Sequence, residues 1–270
     1  MYAIDIKDYG RVRPLFEGLR YNLVVDSCLD GNTPAWVYAD DLRDPHTAWM
    51  WNRMDAMLLA GRTDDDAVNQ ALATLIAGKV IPDARKRQIP ELSLHYDPKA
   101  WESKVDIVLP GKYPLQALRR YYAFSHSKVD LRRQLPTTCE VRRMDEQLLA
   151  DTRLENIRQV MGWVRSFWPT LQDLLDTGFG FCLLEGRAIA RWCLSVYASG
   201  IHFELGLATA LRHRGRGFAT LTAAACVEHC AAHGLIPHWH CWEDNVPSIR
   251  VAEKVGFVDP TQYTVYRFKV

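Results

Sequence analysis

No stretch of this chain approaches the roughly 18 uninterrupted apolar residues that a membrane-crossing helix needs. Its first residues, MYAIDIKDYGRVRPLF, are broken by charges every few positions and contain no apolar h-region, so they do not read as a signal peptide. Charge of one sign is also missing: 33 Lys plus Arg face 32 Asp plus Glu, a net charge of +1. That balance supplies no broad attraction for nucleic acid or for an anionic membrane, and any anion site must be local. The seven cysteines include no Cys-x-x-Cys pair, are odd in number and mostly lie in apolar runs, where a reduced thiol behaves as a small buried hydrophobe. We therefore expect a cytoplasmic protein without nucleic-acid or membrane partners. No glycine is followed by Lys-Ser or Lys-Thr, which excludes a Walker phosphate loop.

What is present is an ordinary globular composition of 270 residues, 48% hydrophobic and 24% charged, long enough for two lobes. The apolar period lapses in SHSKVDLRRQLPTT (125–138), which contains Pro136. We place the lobe boundary there, with a smaller mixed α/β lobe over 1–130 and a second lobe over 131–270. In the first lobe, 13–31 reads as helix, 35–39 as strand, 47–59 and 64–75 as helices, and 92–96 and 105–109 as short strands. The second opens with a strand at 139–144 and helices at 146–151 and 156–176. Strands at 181–184, 188–197 and 202–209, separated by tight turns, form an antiparallel meander. An alanine-rich helix ending at Gly234, a strand at 236–242, a helix at 247–255 and a strand at 262–270 follow. Strand, glycine-rich turn, helix, strand is a right-handed crossover that puts two parallel strands in one sheet. No low-complexity segment or strong short-period repeat stands out.

The sharpest local feature is Arg212-x-x-Gly215-x-Gly217 between a strand and a helix. Glycines let backbone approach a ligand, and the helix start offers unpaired amides at the positive end of its dipole, an arrangement suited to pyrophosphate. Arg212, Arg214 and Arg216 add charged donors, although such a loop is also a plain solvated turn. A Rossmann turn fits less well, because Thr220 stands where a further small residue is wanted and aromatics and histidines follow in the next strand.

With Arg212 to Gly217, and then Pro237–Trp242, Asn245, Ser248 and Glu253-Lys254-Val255-Gly256-Phe257 at linked spacing, the sequence resembles the GNAT (Gcn5-related N-acetyltransferase) superfamily over about 139–270. The wording FELGLAT…RHRGRGFAT…HWHCWEDNVPSIRVAEKVGF looks most like the branch that includes zwittermicin A resistance acetyltransferases. The resemblance implies an α/β (α+β) GNAT fold whose mixed sheet is splayed at its centre. Acetyl-CoA would lie in a wedge between strands 202–209 and 236–242. Leu207, Ala208 and Thr209 would pair with the pantetheine arm, while Gly215, Arg216, Gly217, Phe218 and Ala219 would hold the pyrophosphate. Asn245 and Ser248 fall at cofactor-contacting positions, and both also suit helix capping.

The implied chemistry is direct attack of an amine on the thioester, with a backbone amide stabilising the oxyanion. Glu204 is the first candidate for the base, because Phe203, Leu205 and Leu207 around it would raise its pKa; a strand glutamate also commonly faces water. His240 and His202 are alternatives. Many family members carry a tyrosine seven residues after the asparagine to protonate the thiolate, and here that position is Ala252. Tyr197, Tyr263, Tyr266 or water would then serve as the acid. The acceptor expected is a primary amine of a small molecule, with a protein lysine or N-terminus, or a non-catalytic acyl-CoA-binding role, as alternatives, and a homodimer is open. Cys226 with Cys230 and His229 with His233 are spaced one helical turn apart, but the two pairs are offset and no metal site is assigned. Trp163, Phe167 and Trp168, like Trp36, Trp49 and Trp51, fill core or line a cleft. Asp40, Asp41 and Asp44 form an acidic turn of the kind usual in solvated loops.

Overall fold

The computed structural model describes residues 1–213 and 218–270. They form two compact units, Met1–Arg119 with Tyr263–Val270, and Arg120–Gln262. The expected boundary after residue 130 thus lies inside the second unit. The reason is an unforeseen strand, β6 (Leu115–Phe124), within which the chain passes from one unit to the other. Its mostly half-exposed residues carry no regular inside–outside alternation, so its sequence gives no strand period.

The first unit contains strands β1 (Tyr2–Ala3), β2 (Trp36–Ala39), β3 (Thr47–Trp51), β4 (Ala56–Gly61) and β5 (Glu91–Asp97). Its helices are α1 (Val24–Leu29), α2 (Asp66–Leu75), α3 (Ile81–Lys86) and α4 (Val105–Val108). Residues 47–59, expected as one helix, are instead the hairpin of β3 and β4. The Asn52 side chain accepts from the amides of Met54 (2.9 Å) and Ala56 (3.0 Å), and Arg53 turns the chain at φ 56°. All of β3 and nearly all of β4 are buried, so the period of two that marks a half-exposed strand is absent and the run imitates a buried helix. Residues 105–109, expected as strand, are a single helical turn that brings Val105, Val108 and Leu109 into the core beside Trp101. The helix expected over 13–31 is instead a 3₁₀ segment, Arg13–Leu19, followed by the short α1.

The second unit contains α5 (Leu131–Gln134), β7 (Cys139–Arg143), α6 (Glu146–Ala150), α7 (Ile157–Phe167), α8 (Leu171–Asp176), β8 (Gly180–Glu185), β9 (Ala188–Ser199) and β10 (His202–Thr209). Then come α9 (Ala219–His233), β11 (Ile236–Trp242), α10 (Val246–Val255) and β12 (Phe257–Lys269), whose last part belongs to the first unit. The expected helix over 156–176 is divided at Pro169. Thr170 and Asp173 form a capping box there and start α8 afresh. The meander β8–β9–β10 and the parallel partner β11 form as expected, and β7 adds an antiparallel strand beside β8. Gly234, at φ 67°, ends α9 in the left-handed conformation.

The structure also holds a repeat too long and too diverged to read in the sequence. In the first unit β1, β2, β3 and β4 are successively antiparallel, β4 is parallel to β5 across a helical crossover, and β12 completes the order. In the second unit β7, β8, β9 and β10 are successively antiparallel, β10 is parallel to β11 across α9, and β6 completes the order. Each unit is therefore the same topology, closed by a strand that follows the other unit's helical crossover in sequence. Asn52→Ala removes a buried acceptor from two amides of the β3–β4 turn. We expect it to lower unfolding free energy by about 2 kcal/mol in a denaturant titration.

Candidate active site

The parallel pairing of β10 with β11 extends over only three positions, His202↔Ile236, Phe203↔Pro237 and Glu204↔His238. The register of β10 then shifts at a bulge between Glu204 and Leu205, while its pairing with β9 continues to Thr209. Beyond Glu204 the two strands part. The opening leads to a cavity of about 650 Å³ lined from β10 by Leu207, Ala208 and Thr209 and from the start of α9 by Ala219 and Thr220. Asn245 and α10 form its other wall.

The corresponding place in the first unit is closed. There β4 pairs with β5 at five successive positions, from Ala56↔Ser93 to Ala60↔Asp97. The start of α2 is capped by the Asp65 carboxylate, which accepts from the Val68 amide (3.0 Å), with Asp64 and Asp66 on either side. Trp101, almost wholly buried, donates to the Gly61 carbonyl at the end of β4 (3.2 Å). Zipped strands and carboxylates at the helix start leave that unit without an anion cradle.

Among the residues singled out in the sequence, Leu207, Ala208, Thr209, Ala219, Asn245 and Ser248 all line the cavity. The Asn245 side chain accepts from the Ser248 amide (3.2 Å) and caps α10; the Ser248 hydroxyl accepts from Trp239 Nε1 (3.1 Å). Capping and cavity lining thus coincide in these two residues. Phe218 precedes α9, with the Arg191 guanidinium 5.2 Å from its ring centroid. Arg212 is exposed in a short 3₁₀ turn and is not among the lining residues. Arg214, Gly215, Arg216 and Gly217 lie outside the described residues.

Glu204 does not face water: it is 6% exposed. Its Oε2 lies 4.0 Å from His240 Nε2, and the Tyr121 ring stacks on His240 at 5.7 Å and 23°. Tyr197 is the cross-strand neighbour of Glu204 and packs edge-on against Phe167 of α7. His202 turns instead to His238, with Nδ1 and Nε2 2.8 Å apart. Ala252 is fully buried, so its position in α10 faces packing. Tyr263 and Tyr266 belong to the first unit, against Tyr21, His95 and Tyr96, and not to the cavity.

Sequence reasoning passed over three cavity cations, Arg191, Arg250 and Lys254. Arg191 is 2% exposed and donates to the His213 carbonyl. A single arginine inside the apolar run AIARWCLSVYA was the available signal, because a buried charge needs a purpose-built partner. Arg250 and Lys254 are one turn apart on α10 and share its cavity-facing side. The cysteines are buried thiols, and burial pushes Cys230 up to about 12, keeping it protonated. The Asp40–Asp44 cluster is occupied with its own loop, where Asp41 accepts from the Arg43 and Asp44 amides. Trp49 and Trp51 fill the first unit's core, and Trp168 is buried, donating to the Ser195 carbonyl (2.8 Å).

A parallel pair that opens beside a helix start, following an antiparallel meander, is the arrangement that the GNAT resemblance implies for the second unit. The chain belongs to the GNAT acetyltransferase family, whose profile matches residues 13–266 and so takes in both units. It is 27% identical over 262 residues to the uncharacterized N-acetyltransferase YdfB of Bacillus subtilis (strain 168), covering 96% of this chain and 95% of that one. Among solved structures, a GCN5-related N-acetyltransferase-like protein from Streptococcus suis superposes with a TM-score of 0.70 at 23% identity, over 97% of this chain and 98% of that one. A tandem GNAT protein from the clavulanic acid biosynthesis pathway superposes with a TM-score of 0.59 at 13% identity, over 99% and 97% of the two chains. Acetyl-CoA is the general co-substrate of the family.

His238 provides a test of the packing where the strands part. Burial holds its pKa down at about 4, below the ordinary 6.5. The unfolded chain therefore takes up this proton at higher pH than the folded one. Its contribution is complete above pH 6.5 and is lost as pH falls toward 4, at about 1 kcal/mol per pH unit. His238→Gln should flatten the stability–pH curve over that window in denaturant titrations, relative to the wild type.

Proposed function

We propose that the cavity between β10 and α10 takes acetyl-CoA and that the protein transfers the acetyl group to a primary amine of a small molecule. The parting of β10 and β11 after Glu204 carries this reading, since the cavity in the second unit opens where they separate. The lining suits the group: the β10 edge at Leu207, Ala208 and Thr209 has no β11 partner, and Arg191, Arg250 and Lys254 supply positive charge for phosphates. The start of α9 at Ala219 adds amides and dipole beside them. Arg214, Gly215, Arg216 and Gly217 are assigned to the same anion cradle from the sequence.

Bound acetyl-CoA supplies an activated acetyl thioester. The protein's part is to hold that thioester beside the amine, exclude water and take the amine's proton. Glu204, buried where the strands part, is the base, with His240 and Tyr197 beside it. An amine arriving as an ammonium ion is drawn to a buried carboxylate, and the balanced net charge offers no special field for an extended acidic or basic partner. The motif wording of the last 70 or so residues supports a place near the zwittermicin A resistance acetyltransferases, which act on a small molecule.

Calorimetric titration with acetyl-CoA and with desulfo-CoA tests the cofactor assignment. One molecule is expected per chain, because among the described residues β10 and β11 part whereas β4 and β5 stay paired. Ala219→Trp, which fills the cavity at the start of α9, should weaken binding at least tenfold with the thermal transition retained. Unaltered affinity in this variant, or two sites per chain, contradicts the placement. Turnover over a panel of small amines, compared with lysine peptides, then tests the acceptor class.

A further inference from the structure

Glu204 and His240 stand on two different strands at the place where those strands separate. Glu204 occupies the last paired position of β10, opposite His238, and His240 lies two residues further along β11, on the same face. Their side chains are 9% and 2% exposed and approach to 4.0 Å. That distance is long for a hydrogen bond and short for two groups that exchange charge in a buried setting. The imidazole is fixed from its other side by Tyr121 of β6, stacked at 5.7 Å. In the sequence these two residues are rival candidates for one role.

We propose that they share that role: Glu204 takes the proton from the acceptor's ammonium group, and His240 is the positioning residue that then holds the proton beside it. This rests on the acetyl-transfer reading above. In the first step an N–H bond of the ammonium breaks and an O–H bond forms on Glu204, leaving the neutral amine. In the second that O–H breaks and the proton joins His240 Nε2, giving an imidazolium beside a carboxylate. The proton then leaves to water, and the pair returns to its starting state. A lone buried carboxylate that gains a proton has little reason to give it up; an imidazole next to it offers an ion-paired state of similar energy.

Other titratable groups on the neighbouring elements are engaged with one another. His238 is kept neutral at pH 7 by burial and is engaged with His202. Arg120 of β6 and Glu243 after β11 satisfy one another in an ion pair. Tyr197 faces Glu204 from β9, and Tyr121 faces His240 from β6.

NMR titration of the His240 ring in the full chain reads the coupling without any acceptor. The neighbouring carboxylate favours the imidazolium, so Glu204→Gln should lower the wild-type midpoint by about 1 pH unit. A midpoint that Glu204→Gln leaves in place overturns the pair. With an amine that is turned over, Glu204→Gln and His240→Asn should each lower kcat by about 100-fold. Their combination should be no slower than the slower single variant, with KM for acetyl-CoA unchanged. Losses that multiply mean that the two residues act separately and overturn the proposal. Calorimetry with acetyl-CoA checks that each variant is folded; if Glu204→Gln does not bind, Glu204→Asp, which draws the carboxylate back from His240, is titrated in its place and should likewise lower the midpoint. Wild-type protein that neither binds acetyl-CoA nor acetylates any amine overturns the acetyl-transfer reading and the pair's role with it. Turnover with an uncoupled His240 overturns the pair alone.

Discussion

Two parallel strands that begin as hydrogen-bonded neighbours and then part are the constraint on which the site depends. A strand inside a sheet ordinarily keeps its backbone groups paired along its whole length, because an unpaired buried amide or carbonyl is costly. Here β10 keeps one side satisfied against β9 as far as Thr209, while its other side loses β11 after Glu204. The β9–β10 register shifts at that point, with Val196 of β9 as the extra residue opposite the step from Glu204 to Leu205. The cavity, the helix start at Ala219, the capped start of α10 and the buried Glu204 are all arranged around this one separation.

The first unit shows the same topology without the separation. β4 and β5 are paired to the end, Asp65 supplies the capping carboxylate at the helix start, and Trp101 closes the end of β4. The contrast isolates what the fold contributes from what the site contributes. A meander with a parallel crossover is stable in either form. An anion-binding form needs open strands and a helix start free of carboxylates.

Much of the second unit is legible in its residues. Turn signals at Glu185-Gly186-Arg187 and Ala198-Ser199-Gly200 divide β8, β9 and β10, and Gly234 marks the end of α9. The motif at Asn245–Ser248 marks the lining, whereas Arg212 is off it and Arg214, Gly215, Arg216 and Gly217 lie outside the described residues. The first unit is less legible because burial erases periodicity: β3 and β4 are apolar on both faces, and only the Asn52 turn distinguishes them from a helix. Arg191, Arg250 and Lys254 were missed for another reason. Arg250 and Lys254 are unremarkable in their own segment, Arg191 stands out in its apolar run without showing what it serves, and only the tertiary fold gathers the three on one cavity.

The way the two units are closed bears on how the chain is made. Residues 263–270 complete the order of strands in the first unit, and Arg267 reaches Glu91 across 176 positions of sequence. A nascent chain can fold its early segments while later ones are still being synthesised. Here, however, the first unit emerges from the ribosome with one edge of β5 bare and must wait for almost the entire remaining sequence before that edge is covered. Bare strand edges attract other chains. Biosynthesis thus has a window of vulnerability that the finished protein does not show.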